Sequence, residues 1–494
     1  MRIVRPGDPT YDASRRISNA RFNYFPKYIY YCEGWQDVRI ALAKAKEEKL
    51  GVRIRSGGHQ HEGMCSANDI LMVDLSQINQ ILFSADRNAA RIGAGAKLGD
   101  IYKQMWANRR LLPGGGCGDV RIGGLVQGGG WGPYSRALGL TCDTLAGFSM
   151  VTAGGEFIEV TDSKADPHRD LLWAVRGGGG GNFGVITHFN FRLASISAPV
   201  WQFTLSWGHP NMIEPVVEEW RQNFPNDGDL RLTSFCRLSS PAGTNPPFVD
   251  PPVIVAGFFL DDQVPLKALL ERLLPTTYSK AKASFSPVNS PGVEERAMVL
   301  QHAEYQPGPP RPASNALLGA GIDPPSETCD GGWYPHKVSS CFPRSGFSRE
   351  AIDTIVKYLV SSSPEPEARR YLSLHGMGGA INNDPARSQE SCFAFREKPF
   401  MLQYQAWWAD RENQPLGQRC LAWVRDFRER MKPHTEGSFI NFPDKDLVPN
   451  PGTPEGRKAL LRYYYAGNLE GLIEKKCKYD QGEFFNFEMG IPTK

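Results

Sequence analysis

In the first two-fifths of the chain, hydrophobic positions switch between helical and strand periods. Val38, Ala41, Leu42 and Ala45 recur at the three- and four-residue spacing of a helix with one buried side. That predicts a helix over residues 36–49, stopped by Gly51. The β-rich runs 28–32 (YIYYC) and 52–55 (VRIR) flank it and complete a β-α-β unit. Residues 70–75 and 90–92 read as strands. Residues 97–109 read as a helix with Leu98, Ile101, Tyr102 and Met105 on one side, and strand-like runs resume at 147–153, 157–160 and 184–193. Beyond residue 197 the texture changes. Strands at 200–207, 230–237 and 253–259 alternate with helices at 211–223 and 264–274. A helix at 349–361, strands at 371–374 and 401–407 and a helix at 416–431 follow. Residues 1–25 are polar and basic and read as a surface wrap. The proline-rich stretch 307–343 reads as surface loops. The tail returns to helix and ends in Phe484-Phe485-Asn486-Phe487, an aromatic run expected to dock on the first part. The expectation is an α+β protein with a first domain over 1–196, a second α+β domain over 197–453, and a segment 454–494 that rejoins the first.

One stretch breaks both periods. Residues 111–143 hold eleven glycines with Val120, Ile122, Leu125, Val126 and Trp131 packed among them. Glycine this dense allows backbone to pass close to a flat or charged group. It has no three-residue repeat and is too apolar for a linker. Cys117 lies inside the first glycine cluster, so it reads either as a cysteine beside a close-packed ligand or as a small buried thiol. Upstream, Arg55-Ser56-Gly57-Gly58-His59 is a glycine turn whose bared amides suit a pyrophosphate.

Charge and composition narrow the classes. A formal net charge of +3 gives no broad basic field, so nucleic acid and anionic membrane are poor partners. There is no apolar run of membrane-spanning length. The N-terminus lacks the apolar core of a secretory signal, which leaves the compartment open between cytoplasmic and a processed secreted form. Ten cysteines in a chain this long form no disulfide framework, although Cys329 and Cys341 are close enough in sequence to bridge. The His59, His61, Glu62, Cys65 spacing fits no zinc pattern, so no metal is expected. Gly179-Gly180-Gly181-Asn182-Phe183-Gly184 has dinucleotide-motif spacing. It runs into a strand instead of a helix, which excludes the Rossmann reading.

Four motifs in order carry a family resemblance: R-S-G-G-H at 55–59, C-x-x-V-x-x-G-G at 117–124, R-G-G-G-G-G-N-F-G at 176–184, and Y-Y-x-x-N at 464–468 with a closing F-x-x-x-x-x-I-P. The set resembles the flavin-linked oxidases of the vanillyl-alcohol-oxidase-type fold, in particular the berberine-bridge-enzyme-like branch. That resemblance implies a PCMH-type FAD-binding domain in two parts and a substrate domain with an antiparallel sheet. It implies FAD bonded covalently to His59 at the 8α carbon and to Cys117 at C6. It places Arg55, Ser56, Gly57, Gly58, Gly123, Gly124, Gly128 and Gly129 along the pyrophosphate, Gly184, Val185 and Ile186 on the adenine side, and Asn468 on the ring side. Val120 stands where the family gates dioxygen, so oxidation of a C–OH group with release of hydrogen peroxide is expected. The substrate is a small molecule, either a carbohydrate or another alcohol. The protein is a monomer or a homo-oligomer.

The chain departs from the sugar-oxidising relatives at three places. His61 replaces a tyrosine two residues after the linking histidine. Asn441-Phe442 replaces an Asn-Tyr pair whose tyrosine is the family's base. Leu402-Gln403-Tyr404-Gln405 ends in an amide where an acid is usual. Phenylalanine cannot take a proton. His61 is therefore the candidate base, because imidazole titrates near neutral pH, with Tyr134 as the alternative. Gln403, Gln405 and Trp407 share one strand face and, with Phe442, suit either a polyol pocket or a packed core. Two alternatives stay open: a biosynthetic oxidoreductase acting on a secondary metabolite, and a flavoprotein that kept the fold after losing its base.

Overall fold

The computed structural model describes residues 1–241, 250–288, 334–365 and 367–494. The β-α-β unit forms as its pattern predicts. Tyr28–Tyr31 and Val52–Arg55 lie parallel to Leu71–Asp74 between them, and the Trp35–Glu47 helix buries Val38, Ala41, Leu42 and Ala45. The N-terminal segment does more than wrap the surface. Arg2–Val4 adds an antiparallel edge strand to this sheet, and Asn19 is fully buried. A five-stranded antiparallel sheet follows, in the order Ile81–Phe83, Ala89–Gly93, Val185–Arg192, Leu145–Val151, Phe157–Thr161. The strand after the glycine run, Val185–Arg192, is its centre, which is why no helix follows that turn.

The remainder is built on an eight-stranded antiparallel sheet among the described residues, with Leu232–Ser239, Ala368–Gly376, Phe400–Trp408 and His336–Pro343 consecutive in it. Side chains alternate across it. Leu402, Tyr404, Ala406 and Trp408 pack against the helices Ile213–Asn223, Arg349–Ser361 and Gln414–Met431. Phe235, Ile254, Ala256, Phe258 and Phe342 face the other way, into the core of the first sheets. The tail joins that same core through Leu460, Leu461, Leu472, Phe485 and Ile491. Buried Lys476 donates to the carbonyls of Asn182 (2.6 Å) and Phe485 (2.8 Å), and so fastens the tail over the glycine turn. No helix among the described residues is long and apolar enough to cross a membrane.

The loop reading of 307–343 fails at its end. His336–Pro343 is a buried strand paired along Phe400–Trp408, while 307–333 lie outside the described residues. Pro335 precedes the strand and Pro343 ends it, so neither interrupts its pairing, and Lys337 and Ser340 find partners distant in sequence. Cys341 is a free thiol 3.3 Å from the Tyr404 hydroxyl, so it does not bridge to Cys329, which lies outside the described residues.

One buried cation ties the parts together. Lys337 Nζ donates to Glu62 (2.7 Å), Asp444 (2.5 Å) and the more exposed Asp446 (2.8 Å). Burial pushes the Glu62 carboxyl up. At Asp444 burial acts in the same direction but is outweighed by the Lys337 charge, and that carboxyl falls below the usual range. Removing the cation would leave buried Asp444 without its ion-pair partner and Glu62 with Arg21 alone. Lys337→Met is therefore expected to lower the unfolding free energy by about 3–5 kcal/mol, read from urea denaturation at neutral pH.

Candidate functional site

Two loops and one strand bring the predicted residues together. The His59 loop is fixed from its backbone. Gly58 sits at φ +76°, a region open to glycine, and its carbonyl accepts from Ser18 N at 3.0 Å. Gln60 Oε1 accepts from the amides of Glu62 (2.8 Å) and Met64 (2.9 Å), which curls the chain back behind His61. The Cys117 loop is held by the start of the Leu98–Ala107 helix. Leu98 N donates to Val120 O (2.9 Å), Gly99 N to Gly118 O (2.8 Å), and the Tyr102 hydroxyl to Gly115 O (2.7 Å).

Two adjoining cavities result. One is walled by Cys117, Trp131, Phe235, Arg237, His336, His375, Gln403 and Trp407 among others. The second runs past Ser56, Gly57, Gly58, Arg121, Gly123, Gly124, Gly184 and Ile186. They share His59, His61, Val120, Leu125, Asn441 and Phe442, so the two form one continuous space with the histidines at its waist. The second cavity is a backbone-lined cleft. A methyl added at Gly124 would meet nothing within 4 Å, and Gly57 leaves no room between its Cα and the Arg121 stem, 2.9 Å from where a Cβ would sit. A long, glycine-walled cleft opening on a histidine and a cysteine fits an extended dinucleotide with a flat head.

Several predicted residues lie elsewhere. Arg55 turns away from the cleft into a buried ion pair with Asp74 and donates to Ser14 O at 2.7 Å. Gly128 and Gly129 border neither cavity. Gly128 lies against the Asn441 amide, which bonds Leu125 O at 2.9 Å, and Gly129 packs on Phe393 and Phe439. Val185 is a fully buried sheet residue. Asn468 donates to Cys392 O (3.0 Å), outside both walls. Tyr134 is buried against Phe258, and its neighbour Pro133 reaches the wall instead. Gln405 accepts from the Tyr371 hydroxyl (2.7 Å) and the Trp407 indole (2.8 Å) and does not reach the cavity. Of the strand face, Gln403 and Trp407 do.

The thiols differ in state. Cys117 is disulfide-bonded, and the other eight described cysteines are free. Cys65, which borders the second cavity, is pushed up to about 11 by burial and stays a thiol near neutrality.

Sequence reasoning missed His336, His375 and Arg237. Phe442 lies between His61 (ring centroids 6.0 Å) and His375 (5.9 Å), so two imidazoles flank the place where the relatives' tyrosine is expected. His375 faces Gln403 Oε1 at 2.9 Å, which puts its proton on Nε2 and leaves Nδ1 an unpaired buried acceptor. Burial drives this imidazole down to about 4. The signal was available in strand period alone, since His375 and Ser373 alternate with the core residues Leu374 and Leu372. His336 was hidden by the proline-rich reading.

Comparison with known proteins agrees with this geometry. Residues 26–161 match the family described as FAD binding domain, and residues 438–492 match the family described as berberine and berberine like. An uncharacterized FAD-linked oxidoreductase of Bacillus subtilis, YgaK, is 31% identical over 498 residues, covering 99% of this chain and 96% of its own. Aclacinomycin-N/aclacinomycin-A oxidase of Streptomyces galilaeus is 26% identical over 97% of this chain and 87% of its own. A solved glucooligosaccharide oxidase of Acremonium strictum, described with a 6-S-cysteinyl, 8α-N1-histidyl FAD, superposes with a TM-score of 0.80 at 20% identity. It covers 100% of this chain and 97% of its own, and shares the fold.

The His375 shift sets a pH dependence. Unfolded, the ring takes a proton below about 6.5; folded, it resists until about 4. Its contribution is complete above the higher value and is lost as pH falls toward the lower. Wild-type protein is expected to lose about 2–3 kcal/mol more between pH 6.5 and 4.5 than His375→Gln, measured by denaturant midpoints at each pH.

Proposed function

Because the chain belongs to the berberine-bridge-enzyme-like FAD-linked oxidoreductases, we propose that it oxidises an alcohol carbon, holds FAD covalently through His59 and Cys117, and passes electrons to dioxygen to give hydrogen peroxide. The observation that carries this reading is that His59, Cys117 and Val120 border one cavity, which joins a glycine-lined cleft at His59 and Val120.

Ser56, Gly57, Gly58, Gly123 and Gly124 hold the pyrophosphate with backbone, and Gly184 and Ile186 border the adenine end. Bound FAD supplies the acceptor for the hydride; the rest is the work of side chains. A neutral imidazole at His59 and a thiolate at Cys117 are the nucleophiles the two linkages need, so an external thiol reductant must first supply the two electrons that open the Cys117 disulfide. His61 takes the hydroxyl proton of the substrate, since Phe442 cannot and Tyr134 and Gln405 lie outside the cavity. Trp131, Trp407 and Phe442 supply flat apolar walls, and Gln403 and Arg237 supply polar points. A sugar ring or a polycyclic natural-product alcohol meets that chemistry. The named activities of the glucooligosaccharide and aclacinomycin oxidases support one each. The preponderance of aromatic walls favours the second.

Acid-denatured protein is expected to stay yellow and to weigh one FAD more than the chain. His59→Ala and Cys117→Ala should each retain the pigment through the other residue, and the double variant should release it. A colourless chain would end the reading. Peroxide release is then scored over oligosaccharides and polycyclic alcohols. With the best of these, His61→Asn is expected to slow anaerobic bleaching of the flavin absorbance by about 10²–10⁴-fold. Bleaching by none of the panel would favour a flavoprotein without turnover.

A further inference from the structure

We propose that His336 is the positioning residue for His61: it fixes which ring nitrogen of His61 carries the proton and leaves Nε2 to accept the substrate's. This rests on the reading of His61 as the base.

The assignment follows from a chain of hydrogen bonds with a fixed end. His336 Nδ1 lies 3.2 Å from the Tyr334 carbonyl, which can only accept, so that nitrogen carries the proton. In a neutral ring His336 Nε2 is then an acceptor. It lies 3.0 Å from His61 Nδ1, which must donate to it. The neutral His61 ring is left with its lone pair at Nε2, and both rings border the cavity.

The surroundings are built to hold this pair. Fully buried Asn19 donates to the carbonyls of His61 (2.7 Å) and His336 (3.0 Å) and accepts from His336 N (3.1 Å), so one side chain locks both backbones. The next residue along on each side is paired too, Glu62 with Lys337. The His336 ring is stacked on Trp407, with centroids 3.9 Å apart and planes 28° from parallel, which fixes its orientation. Among the described residues, the charged groups near the pair are the ion cluster of Glu62, Lys337, Arg21, Asp444 and Asp446, and Arg237 on the same cavity.

In the reaction the substrate O–H bond breaks and an N–H bond forms at His61 Nε2. The electron pair of the O–H bond would become the second bond of the carbonyl, and the hydride leaving carbon would go to the FAD that the glycine-lined cleft would hold. The resulting imidazolium still donates its Nδ1 proton to His336, now as a charge-assisted bond. His375 cannot serve instead. Burial holds it neutral down to about 4, far below the range in which a base works near neutral pH, although its Nδ1 can accept a substrate hydroxyl.

The test uses the flavin-loaded full chain labelled with ¹⁵N-histidine. Long-range ¹H–¹⁵N correlation without substrate is expected to show His61 and His336 both protonated at Nδ1. His336→Phe keeps a flat ring on Trp407 but removes the acceptor. It should move the His61 proton off Nδ1 and slow flavin bleaching by the best alcohol of the panel at least tenfold, with KM within twofold. His336→Gln restores an acceptor oxygen and should recover both. An unchanged His61 tautomer in His336→Phe overturns the proposal. A changed tautomer with unchanged bleaching leaves His336 as the orienting residue and removes His61 as the base.

Discussion

The site depends on a buried ammonium that cannot be left alone. Lys337 sits within the central sheet, and the carboxylates that neutralise it come from far apart in the chain, Glu62 from the His59 loop and Asp444 from the turn that starts the return to the first sheets. Desolvating an ion costs several kcal/mol unless its partners are in place, so the three stretches must assemble together or not at all. Asn19 adds a neutral version of the same constraint, joining the N-terminal segment to His61 and His336. The histidines are neighbours of the ions in sequence, so the electrostatic clamp sets their distance.

Around that clamp the glycine segments act by omission. The cleft is walled by backbone because Gly57, Gly58, Gly123, Gly124 and the run at 179–181 carry no side chain that would fill it. Other glycines in the same clusters serve packing. Gly128 lets Asn441 approach Leu125, and Gly129 seats Phe393 and Phe439. The tail then closes the far side. Tyr465 donates to Gly178 O at 2.7 Å, and Ile491 N donates to Asn182 Oδ1 at 2.9 Å. A glycine turn that would otherwise be loose is thereby held from behind.

The chemistry of the cavity differs from the pattern of the sugar-oxidising relatives in a coherent way. Where a phenol is expected there is a phenyl ring, and where its acid helper is expected there is an amide already bonded to Tyr371 and Trp407. Imidazoles stand on either side of that phenyl. One is backed by a second imidazole and the other by a glutamine, so the two are electrically different although the residue type is the same.

The sequence by itself determined most of the elements, though not the strand His336–Pro343, and put His59 and Cys117 forward as the candidate linkage positions. Helix and strand periods are local properties, and Val38, Ala41, Leu42 and Ala45 could be read without knowing their neighbours. The motifs around His59 and Cys117 were legible for the same reason, because tight turns and close backbone approach demand glycine wherever they occur. Only the tertiary structure decided which glycines border the cleft, that Arg55 serves Asp74, that Gln405 is spent inside its own sheet, and that His336 meets His61. Those outcomes rest on side-chain pairings that no local period encodes, from Arg55 with Asp74, 19 positions apart, to His61 with His336, 275 apart. A polar side chain in a buried strand looks like a loop residue until the partner that satisfies it is known.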